Sequence, residues 1–395
     1  MTRTTLQIAL LAATLFTSSP ASAETVRFVD DDGGPLAGFT SLQAALNASS
    51  AGDRIELFAG VYGPATVTRG VTIMGLEPGV VVEGLSFRQV GDSEIAVLAD
   101  IERLGTQNTG STSRPCRILD CAGTVLLDRV GLDDVLEIAR CTDVRLSEVG
   151  LAAGFPRLEI EDSFAQVVQS VIRAGDSQDG IRVRRSELVV AHSSVRGASE
   201  TTSDPIGIGM CITYDGHQGL SLSEGSIATV LRSSVNGGTG SPACFGPGAG
   251  GSPGRGILVD ASSTLRRAQV TSTIGGVAVA PGALSIVVDD LPSLALTGGR
   301  APGETAEFET RAGAGTSARL WAGRFPRRIP FGPWIPFLHS AERGVSLGAM
   351  PPSQLSRVSF PLPALARGTL VHGQAMRTRA DGTTDLSNSV TLLVR

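Results

Sequence analysis

The chain has 395 residues, of which 42% are hydrophobic but only 4% aromatic, with 49 Gly and a formal net charge of −5. So mild an acidic excess argues against a phosphate-binding surface for nucleic acid. All 33 basic residues are Arg, so no Lys is present to act as a base, a Schiff-base former or a P-loop phosphate ligand.

The first segment reads as a signal peptide. Arg3 supplies a positive n-region, Leu6 to Phe16 an apolar run, and Ala21-Ser22-Ala23 an A-x-A cleavage site. Residues 1–23 are therefore expected to be removed, leaving a secreted, periplasmic or cell-surface protein. No later stretch is long and apolar enough to suggest a transmembrane segment. Export permits disulfides, and the five Cys (116, 121, 141, 211 and 244) leave at least one thiol unpaired. No C-x-x-C pair occurs and the four His are scattered, so no metal site is expected.

Residues 24–53 read as an N-terminal cap. Thr40-Ser41-Leu42-Gln43 has the form of a capping box, Thr40 bonding forward and Gln43 reaching back. Leu42, Ala45 and Leu46 then share one face of a short helix, which would close an open end of the strand stack. Gly52-Asp53 turns the chain into a first coil at Arg54 to Leu57. Upstream, Asp30-Asp31-Asp32-Gly33-Gly34 reads as a solvated turn, because the later ligand positions of a Ca²⁺ loop are missing.

Residues 54–291 are repetitive. The repeat is clearest on aligning Cys121, Cys141, Ser163, Ser186, Gly225, Ser262 and Gly282, at intervals of 20, 22, 23, 39, 37 and 20 residues. Five places earlier stand Cys116, Leu136, Leu158, Ile181, Leu220, Ile257 and Val277. Three places earlier stand Ile118, Ile138, Ile160, Val183, Leu222, Val259 and Val279. Five places later come Leu126, Leu146, Val168, Ala191, Val230 and Val287, with Arg267 the exception, read as a one-residue register shift. Alternation by twos, a bend at a small residue and a second strand describe one coil of a parallel β-helix. The period is too short for a helix pair. A lone coil buries too little apolar surface to offset its ordering cost, so the coils must stack. Stacking would bring Arg117, Glu137, Glu159 and Arg182 into one outward column and Asp120, Arg140, Asp162 and Arg185 into another. These read as ladders of surface ion pairs rather than a polysaccharide-binding face.

The stretch Phe39-Thr40-Ser41-Leu42-Gln43-Ala44-Ala45-Leu46, followed by Ala51-Gly52-Asp53 and Gly60-Val61-Tyr62, resembles the opening of the pectin-lyase-like superfamily. The likeness spans residues 39–62, and the coil pattern extends it to about residue 290. It implies an all-β fold, a right-handed parallel β-helix of about ten coils with an N-terminal capping helix. The superfamily includes lyases, hydrolases, epimerases and non-enzymatic surface proteins, so the likeness implies no single activity. Its polygalacturonase-like motifs fail here. Asp133-Asp134 lacks its companions, His372-Gly373 lies in the tail, and the Lys of Arg-Ile-Lys is missing. The pectate-lyase-like Arg-x-Pro-x-x-Arg is not matched by Arg114-Pro115-Cys116-Arg117.

Residues 292–395 are richer in Pro, and both Trp lie there. Alternating runs at Ala306 to Glu309, Ala318 to Trp321 and Ser389 to Val394 predict a small antiparallel β-sandwich. This tail resembles accessory domains that follow β-helices in secreted bacterial proteins. Trp321, Trp334 and Phe331 are expected in its core rather than stacked on sugar rings.

Two repeats are long, and their extra segments, 196–219 and 236–256, should leave one edge of neighbouring coils as a single wall. A disulfide between Cys211 and Cys244 would pin it. Cys121 and Cys141 share a column one coil apart, a stack of small side chains rather than a bonded pair. The first loop carries Asp204, Tyr214, Asp215 and His217, with Arg182, Arg184 and Arg232 near in coil register. Asp215, His217 and Arg232 are the candidate catalytic residues, and Asp204, Tyr214, Arg182 and Arg184 the candidate substrate-binding ones. A lyase would need a base and a charge-neutralising cation, Ca²⁺ among them; otherwise no cofactor is expected. The leading expectation is a surface β-helix protein that recognises polysaccharide through the wall. The alternative is a lyase, or less readily a hydrolase, acting on acidic polysaccharide. A flat face carrying Ser193, Ser194, Ser233 and Ser234 favours the first.

Overall fold

The structure, a computed structural model, describes residues 24–394 except 106–115, 152–156, 176–177, 201–213, 243–249, 289–290, 302–303, 324–327, 330–336, 339–342, 351–352 and 362–369. The predicted signal peptide thus lies outside the described residues, as do Asp204, Cys211, Cys244, Phe331 and Trp334. Contacts divide the described chain into Glu24–Ile286 and a second unit from Val287 onward.

The first unit is built from a seventeen-stranded and a nine-stranded sheet, whose strands pair in parallel. The repeat explains the pairing. Residues one repeat apart sit side by side, so that Cys116, Leu136, Leu158, Ile181, Leu220, Ile257 and Val277 form one row of the nine-stranded sheet. Ile118 to Val279 form the row two places on. Both rows are buried until the last coil, where Val279 is 39% exposed. Alternation puts the residues between them, such as Arg117, Glu137 and Glu159, on the outer face.

In the larger sheet the expected third row needs correction. Leu126 pairs with Arg145 and Val168 with Ala191, whereas Leu127, Leu146, Val167, Val190 and Val230 share the inner row. The cause is a corner that shortens along the stack. Val125, Val144 and Ala165 lie side by side although they follow their anchors by four, three and two residues. Arg267 is not shifted: it pairs with Val230 in register, in the last well-filled coil.

In the middle coils most corners are made by a single residue with positive φ. Asp120, Arg140, Asp162, Arg185 and Glu224 form one such column (φ 47° to 57°), and Glu148, Gln169, His192, Arg232 and Gln269 another (φ 45° to 53°). Such conformations cost about 1–3 kcal/mol each in non-glycine residues. Here the ladder of backbone bonds runs unbroken through the corner, as in Arg140 N–H to Glu161 O (3.0 Å) and His192 N–H to Leu231 O (3.1 Å). A buried serine follows several of these bends. Ser163 accepts from Cys141 N–H (2.9 Å) and donates to Glu161 O (2.7 Å), and Ser186 accepts from Ser163 N–H (3.1 Å) in turn. Where Glu224-Gly225 adds a residue to the turn, the position falls on Ser226 rather than Gly225, and then on Ser263 rather than Ser262. A second ladder runs through Ser170, Ser193 and Ser233. Cys116, Cys121 and Cys141 are buried free thiols, so the column of Cys121 and Cys141 is a stack and not a bond.

At the N-terminal side, the strand Val26–Val29 already pairs with Arg54–Leu57, so the sheet begins before the expected first coil. Helix α1, Leu42–Ala48, buries Leu42, Ala45 and Leu46 in the same core. Its N-cap is Ser41, whose Oγ accepts from Ala44 N–H, not Thr40. Gln43 does not reach back either. It bridges to Thr66, accepting from its N–H at 2.7 Å. Asp53 holds the turn by accepting from Ser50 N–H (2.8 Å) and Thr25 N–H (3.2 Å). Buried Tyr62 donates to backbone carbonyl oxygens of this segment. In the Asp-rich turn, Asp31 accepts from Val61 N–H (2.8 Å), and a Cβ on Gly60 would lie 2.2 Å from the same carboxylate.

The second unit is antiparallel, with a three-stranded and a four-stranded sheet and a two-stranded hairpin. The first two alternating runs fall in Thr305–Arg311 and Ser317–Gly323, and the third falls in Thr384–Leu393 except for Val394, one residue past the strand end. Trp321 lies in the second, its side chain outside the described residues. Asn388 ties the last strand to the first through both the N–H (2.9 Å) and the carbonyl (2.7 Å) of Leu294.

Candidate functional site

In the outer charge columns, opposite charges on neighbouring coils pair. Arg140 Nε meets Asp120 at 2.5 Å, Arg117 Nε meets Glu137 at 3.0 Å, and Arg185 Nε meets Asp162 at 2.8 Å. Arg185 also engages Glu161 and Glu224. Its guanidinium holds Asp162 below the usual carboxylate range, and Arg140 does the same for Asp120. Of the candidate substrate-binding arginines, Arg182 belongs to the first column and Arg184 stands two places on, opposite Glu161. Arg184 pairs with Glu161 (3.0 Å), while Arg182 lies 3.5 Å from Asp179 and 3.8 Å from Glu159.

The two insertions leave adjacent coils, where Arg196 pairs with Asn236 at the strand ends. Their described parts are bonded to each other backbone to backbone. Glu200 N–H donates to Thr239 O (2.9 Å), Gly238 N–H to His217 O (2.8 Å), and Ser241 N–H to Tyr214 O (2.9 Å). Glycines permit this approach. A Cβ on Gly238 would stand 1.5 Å from Ala198 O, and one on Gly254 2.0 Å from His217 O.

Within this wall Asp215 and His217 face different partners. Asp215 accepts from Ser252 N–H at 2.7 Å. His217 Nε2 bonds to Glu200 Oε1 at 2.8 Å, and its Nδ1 lies 3.9 Å from Asp179 Oδ1. Asp179 also accepts from Gln218 N–H (3.0 Å). Tyr214 is 40% exposed, with its N–H donating to Ser241 Oγ (2.8 Å). Glu200 and Asp179 were missed in the sequence. Coil register carried the signal for Asp179, which precedes Ile181 by the same two places as Gln218 precedes its row partner Leu220.

Arg232 is not part of this group. It stands in the second corner column, in a cleft of about 540 Å³ lined also by His192, Gln169, Gln269 and the four serines Ser193, Ser194, Ser233 and Ser234. Neither Asp215 nor His217 lines it. Among the described residues no group of three or more His, Cys, Asp or Glu is placed to hold a metal ion, and no helix is long and apolar enough to cross a membrane. Compared with known proteins, the chain matches no family model, no curated protein and no solved structure.

Proposed function

We propose that the protein is an exported β-helix protein of pectin-lyase-like build that recognises polysaccharide through the wall formed by 196–219 and 236–256. In this reading Glu24–Ile286 winds as a right-handed parallel β-helix, α1 closes its N-terminal end, and the second unit is an accessory β-sandwich. The observation that carries the reading is the engagement of the wall's charged groups, and of the arginines beside it, with protein partners. Within the wall His217 is bonded to Glu200 and Asp215 serves a backbone N–H, and outside it Arg182 and Arg184 are paired with carboxylates. Such groups orient and present a surface, whereas a lyase or hydrolase needs a base and an acid directed at substrate. Tyr214 supplies an exposed aromatic face of the kind that stacks on sugar rings.

The second reading is a lyase or hydrolase acting on acidic polysaccharide. It is favoured by the bond between His217 Nε2 and Glu200 (2.8 Å), a carboxylate orienting an imidazole whose Nδ1 lies 3.9 Å from Asp179, beyond hydrogen-bond reach. A glycan array run beside a lyase assay, which reads the absorbance of unsaturated uronates, separates the two. The expected result is glycan retention, reduced by Tyr214→Ala, without unsaturated product. Turnover that disappears in both His217→Asn and Asp215→Asn would overturn the binding reading.

A further inference from the structure

The corner column that carries the first hydroxyl ladder changes chemistry along the stack. In successive coils it holds Cys121, Cys141, Ser163, Ser186, Ser226 and Ser263. The two thiols keep the donor role of the serines. Cys121 Sγ donates to Leu119 O (3.4 Å) and Cys141 Sγ to Ala139 O (3.2 Å), as Ser163 Oγ does to Glu161 O (2.7 Å). Sulfur adds a capacity that a hydroxyl lacks, since two neighbouring thiols can be joined by oxidation.

The backbone places the pair at bridging distance. Asp120 N–H donates to Ala139 O and Thr142 N–H to Cys121 O, both at 3.0 Å, so the coil-to-coil ladder brackets the thiols on either side. Strands in such a ladder lie about 4.8 Å apart, inside the span of roughly 4.4–6.8 Å between Cα atoms that a disulfide bridges. Both thiols are free and are hydrogen-bonded to each other. Donation from Cys141 draws the ionisation of Cys121 downward, and backbone N–H groups of Val90 and Gln89 act in the same sense against burial. The same bond raises that of Cys141. Cys116 has no such neighbour: it stands beside Leu136, and burial pushes its thiol up to about 12. Cys121 and Cys141 are buried, but Asp120 and Ala122 on either side of the first, and Arg140 and Thr142 on either side of the second, are exposed. The pair thus lies one residue beneath solvent, within reach of a small reagent when the bend opens.

We infer that Cys121 and Cys141 form an oxidation site, at which a hydroperoxide converts the stacked thiols into a disulfide joining consecutive coils. The Cys121 thiolate attacks a peroxide oxygen. An S–O bond forms as the O–O bond breaks, leaving Cys121 as a sulfenic acid, and the departing oxygen takes up the proton that Cys121 gave away. The Cys141 sulfur then attacks the Cys121 sulfur. The S–S bond forms as the S–O bond breaks, and the hydroxide leaves as water with the Cys141 proton. Two thiols lose two electrons to one peroxide, and a dithiol reductant reverses the bond. The site uses none of the wall's residues and stands apart from both readings of the wall.

The test reduces the purified protein, removes the reductant, adds hydrogen peroxide and digests with trypsin without reductant. Cleavage after Arg puts the two thiols on separate fragments, 118–129 and 141–145, neither of which carries another Cys. Mass spectrometry should find these fragments joined, lighter than their sum by two hydrogens, and separated again by dithiothreitol. The melting temperature should rise by several degrees on oxidation and return on reduction, as a cross-link that restricts the unfolded chain requires. Cys141→Ser should yield no joined fragment, but a Cys121 sulfenic acid trapped by dimedone. Cys121→Ser should leave Cys141 unmodified. Serine fills this column from Ser163 onward, so both substitutions suit the bend, and reduced-state melting temperatures matched to wild type certify the fold. Should a variant prove unstable, the wild-type digest decides alone. Oxidised wild type without the joined fragment, or dimedone labelling of Cys116 as fast as that of Cys121, would overturn the site.

Discussion

Ser and Gly set much of this architecture at the level of single atoms. Ser163, Ser186, Ser226, Ser170, Ser193 and Ser233 each accept an N–H from the preceding coil and donate to their own i−2 or i−3 carbonyl. Ser186→Ala would strand the N–H of Ser163, which now donates to Ser186 Oγ at 3.1 Å. Leaving a buried donor unmade costs about 1–3 kcal/mol. Denaturant titration should show that loss, and a midpoint unchanged from wild type would remove the ladder from the account of stability. Gly238 acts by absence. Its neighbours leave 1.5 Å where a methyl would sit, against backbone of Ala198. Gly238→Ala must push two loop strands apart, at about 1–3 kcal/mol, and should raise hydrogen exchange at His217, whose N–H donates to Ala198 O.

Between coils, the ion-pair columns respond to pH in a definite direction. Asp120 and Asp162 are held below their ordinary range chiefly by bonds from Arg140 and Arg185. A carboxylate depressed in the folded state contributes stability that is complete above its unfolded value, roughly pH 4, and is lost as pH falls through the folded value. The acid limb of the stability curve should therefore steepen below about pH 4. Arg185→Gln should flatten it, since Arg185 serves Glu161, Asp162 and Glu224 together. These pairs are exposed, so added salt should shrink the difference between variant and wild type. A difference that persists unchanged at high salt would place the effect elsewhere.

At the scale of the whole molecule, two units of unlike topology follow one another, parallel through Ile286 and antiparallel beyond. The first stacks each repeat on its neighbours, and its inner rows end where Val277 and Val279 lose their cover and Arg267 enters the inner register. Export, as proposed, has a direct readout. The mature protein should begin at Glu24, and mass spectrometry of secreted material that still carries residues 1–23 would contradict it.

The repeat was legible in the chain because a parallel stack places like residues against like, and apolar pulses at Ile118, Ile138 and Ile160 declare both the strand and its partner. The ion-pair columns were legible for the same reason, since register converts sequence spacing directly into contact. Corner geometry was not. Whether two, one or no residues intervene after Cys121, Cys141 and Ser163 depends on how each bend settles against its neighbours, and a one-residue difference moved Leu126 and Val168 to the adjacent row. The helix starts from Ser41 rather than Thr40, and Gln43 bonds instead to Thr66, a residue brought near only by folding. The candidate site divided for a similar reason. Coil register grouped Arg232 with Asp215 and His217, but hydrogen bonding is short-ranged and directional. Only the packed loops and corners could decide that His217 meets Glu200 while Arg232 joins His192 in a separate cleft.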